Sequence, residues 1–144
     1  MSKVSTYLNF ESETESAFNF YKEVFESEFT GVMRFGDIPP TENNPELPEE
    51  LRNMIMHIEL PILGGHVLMG TDAPESMGFK VNKGNNYYIM LQPDTRLETK
   101  KLFDALKVDG QIEQELQDMF WGDYYGSLKD KFGVQWMFNC IEKP

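Results

Sequence analysis

The sequence predicts an α+β fold made of two modules of the same form, each a strand, a helix and then three strands (βαβββ). Three observations predict it. Residues 3–10 alternate Val4, Thr6, Leu8 and Phe10 with Ser5, Tyr7 and Asn9, after which Ala17, Phe18, Tyr21, Val24 and Phe25 recur three and four apart. The same change of period returns at residues 87–93 and 95–107. Superimposing Leu8 on Met90 also places Phe20 and Tyr21 on Leu102 and Phe103, and Val24 on Leu106, so element order and register repeat together.

In the first module, residues 3–10 form the opening strand and Glu15 favours the amino end of the helix that follows, with Ser12 or Thr14 as its cap. The aromatic stripe of Phe18, Tyr21 and Phe25 is the side that packs on a sheet. Residues 29–35 make a second strand, ended by Gly36-Asp37-Ile38-Pro39-Pro40. Residues 41–50 are polar, acidic and proline-containing, and read as a surface loop and candidate lid. Residues 53–60 form a strand with Met54, Met56, Ile58 and Leu60 on one side and Ile55, His57 and Glu59 on the other. Gly64 and Gly65 turn it back into residues 66–69. Module one spans about residues 1–72 and a linker about 73–85, where Pro74, Gly78 and Gly84 interrupt any periodic face.

Module two spans about residues 86–144. Its opening strand, residues 87–93, puts Tyr88, Met90 and Gln92 on one face, and its helix, residues 95–107, buries Leu102, Phe103 and Leu106. The last three strands are residues 110–116, a short irregular piece around 119–125, and residues 132–141. Gly126 and Gly133 read as turn positions. One helix covers only one face of each module's sheet. Pairing the modules, within a chain or across a dimer, curves mixed four-stranded sheets around a shared cleft with the helices outside.

At 144 residues, 40% of them apolar, the chain has the length of one domain with one well-buried core. Asp and Glu number 24 against 13 Lys and Arg, a formal charge of −11 with no basic run, which argues against a nucleic-acid partner. The single cysteine, Cys140, excludes an internal disulfide and reads as a buried thiol, not a nucleophile. No signal peptide or membrane span is expected, so the cytoplasm is the default location.

Several stretches resemble the vicinal-oxygen-chelate superfamily, the glyoxalase and bleomycin-resistance fold. They are Tyr7-Leu8-Asn9-Phe10 with Ala17-Phe18-Asn19-Phe20-Tyr21; Met56-His57-Ile58-Glu59-Leu60 with Gly64-Gly65; and Phe120-Trp121-Gly122-Asp123 leading to Asp130-Lys131-Phe132-Gly133-Val134-Gln135-Trp136. They are similar to its PhnB-like branch, also labelled 3-demethylubiquinone 3-methyltransferase-like. The resemblance implies eight strands in two four-stranded halves, a concave cavity and frequent homodimers. In metal-dependent relatives it implies His, Glu and Gln ligands from the first and last strands of each half, holding a divalent ion with open positions. The positions that resemble those ligands here are Thr6, Glu59, Tyr88 and Met137. Only Glu59 is a good donor for a hard or borderline ion, and His57 beside it still leaves the set short of three or four ligands. No metal is therefore expected. Nor is S-adenosylmethionine, because no glycine-rich turn joins a first strand to a long helix.

His57 and Glu59, two residues apart on one strand, are the candidate catalytic pair: a carboxylate beside an imidazole holds its tautomer and raises its basicity. Tyr7, Tyr88 and Met137 are candidate ligand-binding residues on the cavity strands, with Trp121, Asp123 and Trp136 from the closing stretch. Such residues suit a partly apolar or aromatic ligand with a few polar handles. Three functions stay open: a metal-free binding protein for a small molecule; an enzyme acting on a small carbonyl, phenolic or hydroxy compound through His57 and Glu59; and a structural or interaction protein whose cleft is filled by side chains.

Overall fold

A computed structural model describes residues 1–43 and 45–144; residue 44, inside the predicted loop, lies outside the described residues. The chain packs as two compact units, Met1–Val81 and Asn82–Pro144.

The first unit runs β1 (Thr6–Phe10), α1 (Thr14–Phe25), β2 (Gly31–Arg34), α2 (Glu49–Arg52), β3 (Ile55–Pro61) and β4 (Val67–Asp72). Its sheet has the order β1-β4-β3-β2, with β1 parallel to β4 and the other pairs antiparallel. Leu8, Phe10, Ile58, Leu60 and Leu68 are buried together with Ala17, Phe18, Tyr21 and Val24 of α1. Each large apolar side chain buried here contributes about 1.5–3 kcal/mol relative to exposure. Gly70 lets α1 approach closely: a Cβ on it would stand 2.6 Å from Phe18 Cε1.

Four sequence expectations are corrected in this unit. Neither Ser12 nor Thr14 caps α1. Asp72 does so from β4, its Oδ1 accepting from the Thr14 N–H at 3.1 Å while its Oδ2 accepts from the Ile55 N–H at 2.8 Å. Asp72 is thus a buried end of a strand that runs three residues past the predicted Met69, and ties helix, β3 and β4 together. Ile55 does not share a face with His57. Met33 pairs with His57 but Arg34 with Ile55, so Met56 is an extra residue in β3, and this bulge turns Ile55 into the core. The predicted loop at 41–50 ends in a helix, α2, whose Arg52 pairs with Glu46 at 3.1 Å.

The second unit runs β5 (Ile89–Leu91), α3 (Arg96–Leu106), β6 (Gln111–Asp118), β7 (Tyr124–Lys129) and β8 (Gln135–Cys140), in the sheet order β5-β8-β7-β6. Thr95 caps α3 by accepting from the Glu98 N–H at 3.1 Å, and Leu102, Phe103 and Leu106 are its buried stripe, as the spacing predicts. The middle strand is corrected: it is β7 at Tyr124–Lys129, and residues 119–123 form the turn before it. Gly126 is therefore a strand residue, where a Cβ would meet Gln114 O and Phe103 Cε2, each at 3.1 Å. Gly133 is the turn residue the sequence predicts, at φ +86°. The superposition of Leu8 on Met90 is off by one in the strand, since Leu8 is buried and Met90 is 46% exposed. The pattern buried, exposed, buried matches Leu8-Asn9-Phe10 with Ile89-Met90-Leu91, and so sets Tyr7 against Tyr88. Among the described residues no helix is long and apolar enough to cross a membrane.

Candidate functional site

In the first unit the alternation of β1, β3 and β4 sends Leu8, Ile58 and Leu68 toward α1 and leaves Tyr7, Glu59 and Met69 on the opposite face. These three lie in register in one row across the sheet, which ends at Gly31 on β2. His57 stands one row away, opposite Met33. It closes a chain of hydrogen bonds: Tyr7 Oη lies 3.0 Å from His57 Nδ1, and His57 Nε2 lies 2.8 Å from Glu59 Oε2. An ionised carboxylate only accepts, so Nε2 carries the proton. In the neutral imidazole Nδ1 is then the acceptor, and the Tyr7 hydroxyl donates to it. The Tyr7 and His57 rings pack at 5.6 Å between centroids, tilted by 34°. Burial, and then the negative charge of Glu59, push the Tyr7 hydroxyl above the usual phenol range, so it stays protonated at neutral pH.

In the second unit the face turned away from α3 carries Met90, Met137 and Ser127 in one row, with Tyr125 in the next row of β7. The Tyr88 hydroxyl donates to Glu113 Oε1 at 2.8 Å, joining a side chain just before β5 at one edge to β6 at the other. That hydrogen bond, then partial burial and the Glu113 charge, raise the Tyr88 pKa above its usual value. Glu113 sits at a bulge, since Ile112 pairs with Leu128 but Gln114 with Ser127.

The predicted residues therefore divide. Tyr7, His57 and Glu59 are brought into one chain of contacts, and Tyr88 and Met137 lie on one face of the second sheet. Trp136 is wholly buried on the α3 side, and its indole N–H donates to Asp130 Oδ2 at 2.9 Å. Asp123 accepts from Asn139 Nδ2 at 3.0 Å. Trp121 is half exposed on the β6–β7 turn, edge-on to Phe120 at 5.0 Å and to Tyr125 at 6.0 Å. Glu113 was not expected from the sequence. The sequence gives only a strand at 110–116 there, and the bulge that re-aims the carboxylate leaves no sequence signal.

The four positions that resemble metal ligands do not fit an ion. Thr6 Oγ1 is bonded to His66 Nε2 at 2.8 Å, both nitrogens of His57 are engaged, and a methionine thioether suits soft ions only. Among the described residues no group of three or more His, Cys, Asp and Glu side chains is placed to hold a metal.

A family model described as 3-demethylubiquinone-9 3-methyltransferase matches residues 2–138. Protein YjdN of Escherichia coli (strain K12) is 28% identical over 145 residues, covering 97% of this chain and 96% of YjdN. Protein PA1353 from Pseudomonas aeruginosa superposes with a TM-score of 0.83 at 28% identity, over 100% of both chains. The PhnB protein from Bacillus cereus gives a TM-score of 0.72 at 26% identity, over 96% of this chain and 99% of that one. More distant glyoxalase/bleomycin resistance proteins share the fold alone. With its two βαβββ units and these relatives, the chain belongs to the 3-demethylubiquinone-9 3-methyltransferase family, in its PhnB-like branch, and has the vicinal-oxygen-chelate fold.

Proposed function

We propose that the chain binds a small, partly apolar or aromatic molecule, without a metal and without S-adenosylmethionine, at the Tyr7–His57–Glu59 face of its first unit. The observation that carries this reading is the hydrogen-bonded chain itself, set beside Met33 and Met69. Methionines accept flat apolar surface, and the exposed Tyr7 hydroxyl offers a fixed polar handle. The reading includes a soluble cytoplasmic protein that pairs with a second copy of itself and meets neither nucleic acid nor membrane.

A second reading, an enzyme acting on a small carbonyl, phenolic or hydroxy compound, is favoured by the order carboxylate, imidazole, phenol, which aligns a proton relay. Two features weigh against it. His57 has no free nitrogen, so a substrate proton has to pass through Tyr7, and the nearby Glu59 charge opposes the phenolate this would form. Binding is therefore preferred over turnover.

Proton NMR of the Tyr7 and His57 rings against a panel of phenolic and aryl-ketone fragments tests the binding reading. Fragment-dependent shifts at both rings are expected, and a Tyr7→Phe protein should lose affinity several-fold. Silence at both rings toward every fragment would sink the reading. So would one divalent ion per chain in protein purified without a chelator or a histidine tag. Hydrogen–deuterium exchange into the α-position of a fragment ketone, abolished by His57→Gln, would instead favour the enzyme.

A further inference from the structure

We infer that the sheet face of the second unit turned away from α3 takes an organic cation. The inference rests on the reading that the chain binds small molecules, and adds the residues of this face and a charge.

The local structure is built around Glu113. A bulge between Ile112 and Gln114 interrupts the β6–β7 ladder at this residue, which costs regular pairing, and the carboxylate it re-aims meets the Tyr88 hydroxyl at 2.8 Å. The bond is exposed, so water competes for both of its groups and its net contribution to stability is modest. The same contact explains the geometry of a trough. Side chains from the two edges of a four-stranded sheet touch only if the sheet curls toward them, and the floor beneath is Met90, Met137 and Ser127.

The chemistry of this trough selects charge. Among the described residues Glu113 makes no ion pair, and its one hydrogen-bond partner is a neutral phenol, which leaves its negative charge uncompensated. Lys129 lies on the same face of β7 without pairing to it. Tyr88 and Tyr125 supply ring faces that attract a cation, and the methionines supply polarisable apolar contact for the substituents of an alkyl- or arylammonium group. A ligand anion would meet the Glu113 charge and the net charge of −11.

The test titrates the full chain with three phenyl probes that differ in charge: benzyltrimethylammonium, benzyl alcohol and benzenesulfonate. Trp121, 6.0 Å from Tyr125, gives the fluorescence signal. Benzyltrimethylammonium is expected to bind about tenfold or more tighter than either other probe. Glu113→Gln should abolish that preference, whereas Glu115→Gln, which removes the same charge from the same strand, should leave it within about twofold. Urea midpoints equal to wild type establish that the variants fold. Equal binding of all three probes, with Glu113→Gln unchanged, would overturn the cation site and leave the small-molecule reading standing. An equal loss in Glu115→Gln would also overturn it, in favour of bulk charge. Absence of binding by all three probes would overturn the site as well, while the Tyr7 and His57 resonances decide the first reading separately.

Discussion

Replacing Asp72 should reveal how the first unit is held together. Its side chain is buried and serves two backbone donors on different elements, the Thr14 N–H at the start of α1 and the Ile55 N–H at the start of β3. Asp72→Ala leaves both without an acceptor and without access to water. At about 1–3 kcal/mol for each of the two buried groups left unsatisfied, the cost is about 2–6 kcal/mol, a large part of the net stability of an ordinary domain. Asp72→Asn keeps one oxygen and sets an amide N–H₂ against the other backbone donor, so about half that cost is expected. The measurement is urea unfolding followed by far-ultraviolet circular dichroism, with a shift of midpoint at constant slope. Tryptophan fluorescence recorded alongside reports the other unit, because Trp121 and Trp136 both lie there. The reasoning fails if Asp72→Ala stays within about 0.5 kcal/mol of wild type, or if Asn costs more than Ala.

Gly70→Ala should cost about 1–3 kcal/mol or more, because its methyl would lie 2.6 Å from Phe18 Cε1 and 3.0 Å from Cζ, and Phe18 is wholly buried with no room to withdraw. A lowered Tm partly restored by Phe18→Leu is the expected signature, and an unchanged Tm contradicts it. The Glu15–Arg34 pair sets a pH dependence. The hydrogen bond from Arg34 holds the Glu15 carboxyl below its usual value, so its contribution is present above about pH 4.5 and is lost as pH falls through the lowered value. The stability gap between wild type and Glu15→Gln should be below about 1 kcal/mol for so exposed a pair, level from neutral pH downward, and closing only in acid. A gap that widens on acidification would contradict the assignment.

The alternation in β1 and the three- and four-residue spacing in α1 and α3 were legible because each of these elements buries one face against its own module, and a single periodicity reports it. What escaped depends on partners distant in sequence. Asp72 stands next to the linker-like stretch, beyond the predicted end of its strand, and only the meeting of β4 with the ends of α1 and β3 makes it a structural residue. In β7, Gly126 and Ser127 look like turn chemistry, yet Gly126 is small because Phe103 and the β6 backbone press on it. The off-by-one strand register has a similar cause. Tyr88 lies 81 residues after Tyr7, but Phe103 lies 82 after Tyr21, because the turn between strand and helix is one residue longer in the second module. No single offset can superimpose both elements. The His57–Glu59 pair was legible from strand period alone, whereas the Tyr7 contact needed the register of β1 on β4.

Once the register is corrected, the duplicated tyrosines explain why the two halves should not bind the same chemistry. Tyr7 and Tyr88 occupy matching strand positions, and each phenol reaches a partner on another strand of its own sheet. The partners differ in kind. An imidazole nitrogen accepts from the phenol when neutral and donates to it when protonated, so Tyr7 offers a ligand lone pairs in one state and a proton in the other. A carboxylate only accepts, which holds the Tyr88 proton inward and leaves oxygen lone pairs and negative charge facing outward. The first half is thereby suited to neutral ligands bearing either a hydroxyl or a carbonyl, and the second to donors and cations. Exchanging the partners tests this directly: Glu113→His should weaken the preference for an arylammonium probe and admit neutral phenols, and a variant that keeps the cation preference would break the link between partner type and ligand charge.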